Sequence, residues 1–352
     1  MKKVAQLDLA PITRHLRAMY SSRLLIAAVH HLNVFEQFDD GPLSSADLQQ
    51  RIGLKERPAM VLFPALCAMG MLRFDSPGKL LRTAQGDYLT STSAANLKEY
   101  LALEANDPGV LEMVQRLQND GPLTAPEGIA YVKEGTEHSP MDNPETARFL
   151  TRALAGRATH LSPLVADALP KSDGHLLDVA GGTGLFTYEW LLINPQATAT
   201  VFDRPHVLAV AAEFLDAFCI SGRQGAQGVR QRVNLLPGNM LEDNLPAADI
   251  ILAASLFHDW PRQTCEFLSR RFAAALRPGG ELWIHDAFLN DTMDGPLAVT
   301  DYSAQLFWVT KGRAYSRQEY RGWLVQAGLL PTENTVATLM DYGLISAYKP
   351  QL

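Results

Sequence analysis

The run Leu176-Leu177-Asp178-Val179-Ala180-Gly181-Gly182-Thr183-Gly184 decides how this chain is read. It begins as a short apolar strand, carries an acid near the strand's end, and breaks into a glycine-packed turn that feeds a helix from Leu185. A second acid, Asp203, closes the next apolar run, Thr198-Ala199-Thr200-Val201-Phe202. Strand, tight turn, helix, strand and acid together form the ligand end of a nucleotide-type α/β unit. The glycines let a ligand approach the backbone, and the second acid can accept from both hydroxyls of a ribose. Taken alone, the same turn could simply pack a helix on a strand.

The spacing narrows the ligand. A dinucleotide fingerprint needs G-x-G-x-x-G, and Leu185 and Phe186 follow Gly184 with no third glycine at that spacing. No Gly-Lys-Ser/Thr follows either, which excludes a P-loop. Downstream, strands are expected at 175–180, 198–203, 232–237, 248–254 and 281–287, alternating with helices such as Arg262 to Leu276. Two last apolar runs, Thr335 to Leu339 and Gly343 to Tyr348, are joined by too few residues for a crossover helix. The sheet should therefore end in an antiparallel pair.

Upstream, residues 10–100 read as mainly helical. Tyr20 to Phe38 is apolar at helical spacing, a serine cap precedes a short helix ending at Gly53, and a third helix runs from Pro58 to Met69. Met71 to Phe74 and Leu80 to Thr83, around the turn Asp75 to Lys79, make a hairpin. Helix, turn, helix and hairpin suggest a winged helix. Its candidate recognition helix, Arg57 to Leu66, is apolar apart from Arg57, whereas groove reading needs Arg, Lys, Asn or Gln. Burial against a second subunit fits that composition better than DNA.

Bulk properties agree. A length of 352 residues suggests two domains, and 47% apolar with 20% charged residues describes a globular chain. A net charge of −7 argues against nucleic acid as the main partner. Cys67, Cys219 and Cys265 lie far apart, offer no zinc framework, and fit free thiols in a reducing compartment. No apolar run reaches membrane-spanning length and residues 1–15 lack an apolar core, so a soluble, cytoplasmic protein is expected.

Five segments occur in a fixed order: LLDVAGGTG, VFDRPHV, LPGNMLEDNLP, SLFHDWP and LRPGGELWIHD. In this the chain resembles class I S-adenosylmethionine-dependent methyltransferases, specifically the small-molecule O-methyltransferases of the plant caffeate, acetylserotonin and bacterial natural-product tailoring type. The resemblance implies an α/β, Rossmann-like seven-stranded sheet with an antiparallel C-terminal strand pair, plus an N-terminal winged-helix dimerisation domain. The corresponding boundaries are 1–100 for dimerisation, 101–170 for a helical linker contributing to the substrate pocket, and 171–352 for the cofactor domain. It places S-adenosylmethionine along Gly181, Gly182 and Gly184, with Asp178 near its amino group and Asp203 on the ribose. Arg204, Asn239, Met240 and Ser255 complete the expected cofactor contacts, Asn239 standing where the family usually has Asp.

The resemblance further implies His258 as the base that removes a hydroxyl proton, oriented by Asp286. An imidazole titrating near neutrality suits that task. A second carboxylate common in plant members is absent, with Ala314 in its place. The acceptor pocket is expected from Phe149 to Leu161 and Asp301 to Val309, with Leu150, Leu154, Tyr302 and Gln305 touching a small-molecule acceptor. A homodimer is implied, without nucleic acid or membrane. Alternatives remain open: C- or N-methylation on the same fold, a metal-assisted version using the pairs His258-Asp259 and His285-Asp286, a regulator that senses the cofactor, or a fold that binds it without methylating. Adjacent strand residues face opposite ways, which speaks against His285 and Asp286 sharing one metal ion.

Overall fold

The computed structural model describes residues 7–76, 78–121 and 139–351. Their contacts form two compact units, one within 1–9, 131–287 and 319–352, the other within 10–130 and 288–318. Among the described residues no helix is long and apolar enough to cross a membrane.

The first unit is built on a seven-stranded sheet. Its strands are β1 (His175–Val179), β2 (Thr198–Asp203), β3 (Val233–Pro237), β4 (Ala248–Ala254), β5 (Leu276–Asp286), β6 (Leu330–Ala337) and β7 (Gly343–Tyr348). They lie in the order β6-β7-β5-β4-β1-β2-β3. The β5-β4-β1-β2-β3 portion is parallel. β7 runs antiparallel to both β5 and β6, as the short tail connection required. Leu176, Val201, Ile250, Leu252 and Leu344 share one buried cluster with Val165 of helix α1 (Pro144–Ala168), Tyr188 and Trp190 of α2 (Leu185–Ile193), and Leu208 of α3 (Pro205–Cys219).

Two strands depart from the apolar pattern. β5 starts at Leu276, five residues before the expected 281, and the register shift between Ala248 and Ile250 of β4 absorbs Pro278-Gly279-Gly280 as an irregularity. The helix before it, α4 (Arg262–Ala275), accordingly stops one residue early. β6 covers Leu330–Ala337 rather than 335–339, because it is a largely exposed edge strand whose sequence carries little hydrophobic signal. Met340 and Asp341, both at positive φ, turn the chain into β7.

The second unit contains the winged-helix arrangement. Ser44 accepts from the Asp47 N–H and caps the helix Ser45–Arg51, and the helix Glu56–Ala68 follows. Strands Leu72–Ser76 and Lys79–Arg82 pair antiparallel, and Leu43–Ser44 adds a third strand. Within their turn, Pro77 lies outside the described residues. The expected helix Tyr20 to Phe38 is broken: Ala10–Ile26 is α-helical, Ala27–His31 is a π turn, and Asn33 at φ 47° leads to a 3-10 turn at Phe35–Phe38. The helix Leu297–Val309 belongs to this unit, where Ala304 and Phe307 join Leu24, Leu62 and Leu66 in one core.

Arg57 is held within this unit through its Nε and Nη1. Its Nε meets Asp120 at 2.9 Å, its Nη1 donates to the Thr310 and Gly312 carbonyls at 3.1 Å, and the guanidinium lies over Phe307. The basic residue of the candidate recognition helix therefore stabilises this unit.

Candidate active site

In an open parallel sheet, ligands gather beyond the carboxyl ends of the strands, where the strand order reverses. Here that point lies between β1 and β4. A cavity of about 240 Å³ opens there, lined by residues following β1 (Ala180 to Thr183), β2 (Asp203, Arg204), β3 (Gly238 to Leu241) and β4 (Ser255, Leu256). Helix α1 supplies Leu150, Leu154 and Arg157 to the same wall.

The glycine turn shapes one side. Gly182 has φ 59°, and a Cβ placed on it would meet open space, so a ligand can lie against bare backbone. Gly181 has no such room: a Cβ there would sit 2.8 Å from Asp178 Cγ and Val201 Cγ1. Gly184 does not line the cavity; at φ 72° it caps the start of α2, with the Tyr188 ring where a side chain would go.

The acids bracket this turn. Asp178 is buried, and one carboxylate oxygen accepts from Thr187 Oγ1 at 2.8 Å. The other, Oδ1, has no partner among the described residues. Burial pushes its pKa up to about 7, with the Asp203 charge adding to the rise. Asp203 bridges the loop instead, accepting from the Gly182 N–H at 2.9 Å and the Arg204 N–H at 2.7 Å. Burial raises it to about 6 despite those bonds. Each Asp203 oxygen keeps a lone pair for a hydroxyl donor. A buried carboxylate with one oxygen unbonded can take a cationic donor, and a doubly anchored one can still accept from hydroxyls.

Asn239 and Met240 line the far end, but the Asn239 side-chain oxygen already accepts from the Leu241 N–H at 3.1 Å. Arg204 contributes its backbone, while its guanidinium pairs with Asp142 in the turn Pro140–Asp142. Ser255 stands at φ 54°, its N–H bonded to the His285 carbonyl.

His258 follows β4 in a 3-10 turn, Phe257–Asp259, between the cavity residues Leu256 and Asp259. The pairing of Ala254 with His285 sets the end of β4 beside the end of β5, and this brings His258 to Asp286. His258 Nδ1 lies 2.5 Å from Asp286 Oδ1. That oxygen also accepts from the Ala287 N–H, and Oδ2 accepts from Tyr320 Oη at 2.8 Å. Although burial would raise it, the His258 charge and these bonds hold Asp286 below its usual range. Burial would likewise lower His258, but the Asp286 and Asp259 carboxylates outweigh it and raise its pKa. An ionised carboxylate can only accept, so Nδ1 carries a proton, and in the neutral ring the lone pair is on Nε2. Nε2 is turned toward Asp259, 3.6 Å away; Asp259 lines the cavity, whereas His258 and Asp286 are not among the lining residues and lie buried beside them.

His285 faces away from Asp286. Its ring stacks on Tyr342 and its Nε2 meets Thr338 Oγ1, and burial pushes its pKa down to about 3. Among the described residues no cluster of three His, Cys, Asp or Glu side chains is placed to hold a metal ion. Tyr302 and Gln305 sit on Leu297–Val309 of the second unit and are not among the cavity-lining residues; Tyr302 is buried with the Arg17 guanidinium over its ring. Sequence reasoning missed Phe186 and Phe202 on the cavity wall, which read as ordinary helix and strand residues, and it missed Tyr320; Arg157 falls within the expected stretch Phe149 to Leu161 and Trp260 within the SLFHDWP segment, without being singled out.

Comparison with known proteins bears on this geometry. The model of the O-methyltransferase domain family matches residues 155–330, half of the chain. A family 2 O-methyltransferase from Planctomyces limnophilus DSM 3776, solved with apigenin, is 37% identical, with a TM-score of 0.85 and coverage of 97% of this chain and 96% of that one. The 3-hydroxy-5-methyl-1-naphthoate 3-O-methyltransferase of Streptomyces sahachiroi is 27% identical over 88% of this chain and 86% of its own length. The tetracenomycin polyketide synthesis 8-O-methyl transferase of Streptomyces glaucescens is 25% identical over 92% of each. The chain belongs to the O-methyltransferase domain family and is an S-adenosylmethionine-dependent methyltransferase.

Proposed function

We propose that this enzyme methylates a hydroxyl group of an aromatic small molecule, with His258 as general base and Asp286 as its orienting partner. The observation that carries the reading is the buried Nδ1–Asp286 bond, which in the neutral ring leaves the lone pair on Nε2, the nitrogen that faces the cavity-lining residue Asp259. The named substrates of the similar enzymes, a naphthoate among them, support an aromatic acceptor. Leu150, Leu154 and Trp260 give the cavity apolar surface suited to such a ring.

Asp178 would hold the cofactor's ammonium group, Asp203 its ribose hydroxyls, and the Gly181–Gly182 backbone its methionine portion. Bound S-adenosylmethionine supplies an electrophilic methyl carbon and retains the S–C bonding pair as a neutral thioether. His258 Nε2 takes the acceptor's hydroxyl proton as the oxygen attacks. The Asp286 carboxylate stabilises the resulting imidazolium through Nδ1–H, with Asp259 beside Nε2 adding to the field. The sulfur leaves neutral, so no oxyanion hole is required, and positioning and proton removal carry the acceleration, general-base action contributing about 10²–10⁴-fold.

The exposed apolar residues Ile12, Leu16, Met19, Tyr100 and Leu103 support a homodimer through the N-terminal region, in a cytoplasmic enzyme. Sedimentation at micromolar concentration tests the dimer. The reaction is tested by incubation with methyl-labelled S-adenosylmethionine and a panel of phenols, catechols, aromatic polyketides and 2-oxo acids, read by product mass. A labelled ether is expected; label on carbon only would overturn O-methylation.

A further inference from the structure

The His258–Asp286 pair takes further support from outside its own two elements. Asp286 is fully buried, and a buried charged oxygen without a donor is strongly unfavourable. Oδ1 is met by His258 and the Ala287 N–H, and Oδ2 by Tyr320 Oη. Tyr320 is itself fully buried on helix α5 (Arg317–Gln326). Its ring packs edge-on against Phe257, the residue before His258, at 5.5 Å between centroids, and against Trp323 at 5.2 Å. One side chain thus touches both halves of the pair: the ring packs on the turn that carries His258, and the hydroxyl holds the carboxylate.

We propose that Tyr320 is a positioning residue for the base, setting the rotamer and proton affinity of Asp286 through its hydrogen bond to Oδ2. This rests on His258 being the base. An O–H donor draws electron density from the carboxylate. Its removal makes Asp286 a stronger acceptor, while the Ala287 N–H keeps Oδ1 in place. The His258 imidazolium is then held more tightly, and its pKa rises. A more acidic phenol at the same position does the reverse. The other charged or titratable groups that face His258 are Asp259 on its own turn, Arg157 from α1 and His285 from β5, and none is altered by a change at Tyr320.

The test is an NMR titration of the full-length protein labelled at the histidine Cε1, with the His258 signal assigned by its loss in His258→Gln. In Tyr320→Phe the His258 midpoint is expected to move up by about half a pH unit, roughly a threefold change in proton affinity. With 3-fluorotyrosine at position 320, a substitution that keeps the ring and its packing, the midpoint is expected to move down. Tyr320→Phe should also lower kcat on whichever phenolic acceptor the product panel identifies by about tenfold, with KM little changed. Unchanged His258 midpoints in both variants, with only the melting temperature altered, would reduce Tyr320 to a core residue and overturn the proposal. Survival of turnover in His258→Ala would instead sink the base assignment and leave the titration result standing.

Discussion

Asp178→Asn should make the cofactor-free protein more stable while impairing its function, and the size of the gain follows from the site. The carboxylate is buried, one oxygen has no partner, and its pKa stands at about 7 against an ordinary 3.8. Three pH units correspond to about 4 kcal/mol against the ionised form, and water entering the cavity leaves about 2 kcal/mol of this measurable. The sign follows from proton linkage. Between pH 4 and 7 the folded protein keeps a proton that the unfolded chain has lost, so wild-type stability falls as pH rises, and the full penalty is in place above about pH 7. Asparagine has no such slope, and its amide oxygen can still accept from Thr187.

Thermal unfolding without cofactor should therefore show a gap that widens from pH 5 to pH 8, reaching roughly 4–8 °C in favour of the variant. Cofactor at 100 times its wild-type dissociation constant adds about 2.7 kcal/mol to the wild type but only about 1.4 kcal/mol to a variant that binds about tenfold more weakly, so the gap narrows to about 0.7 kcal/mol. Calorimetric titration of S-adenosylmethionine measures that loss. A gap that does not depend on pH, or full cofactor affinity in the variant, would refute this reasoning.

Three further outcomes are expected. His258→Ala should lower kcat about 10²–10⁴-fold while the cofactor dissociation constant stays within about twofold, as steady-state kinetics and calorimetry would show. The acid limb of kcat/KM should lie above the ordinary histidine value of 6.5, since the raised pKa of His258 means the neutral base appears only at higher pH; a limb at or below 6.5 contradicts the carboxylate field described above. Gly182→Val forces a branched side chain to φ 59°, which costs about 1–2 kcal/mol in denaturant unfolding, and fills the space beside the turn so that cofactor binding is lost.

The parts of the site that were legible in sequence are those whose chemistry is local. Gly182 and Asp203 sit where a strand, a turn and the next strand demand them, and the bond from the Gly182 N–H to Asp203 closes that unit. The antiparallel ending of the sheet followed from the short link between β6 and β7. Less was legible where exposure or distant packing decided the outcome. β6 lies at an edge and carries no alternating pattern, and β5 swallows a Pro-Gly-Gly segment that reads as a turn. Arg204 follows the ribose acid in sequence, yet its guanidinium is drawn to Asp142, 62 residues earlier. Tyr302 looked like a pocket aromatic, but its ring is buried in the second unit beneath Arg17.

By itself the sequence determined the nucleotide-type turn, the two acids that bracket it, and a histidine placed just beyond a strand, because each depends on neighbours a few residues away. The meeting of His258 with Asp286, 28 residues on, and of Asp286 with Tyr320, a further 34 on, was decided by tertiary structure. Register between β4 and β5 creates the first contact, and the return of α5 creates the second. Side chains so far apart in the chain are neighbours only after sheet pairing and helix packing have fixed their directions, and no local spacing encodes that.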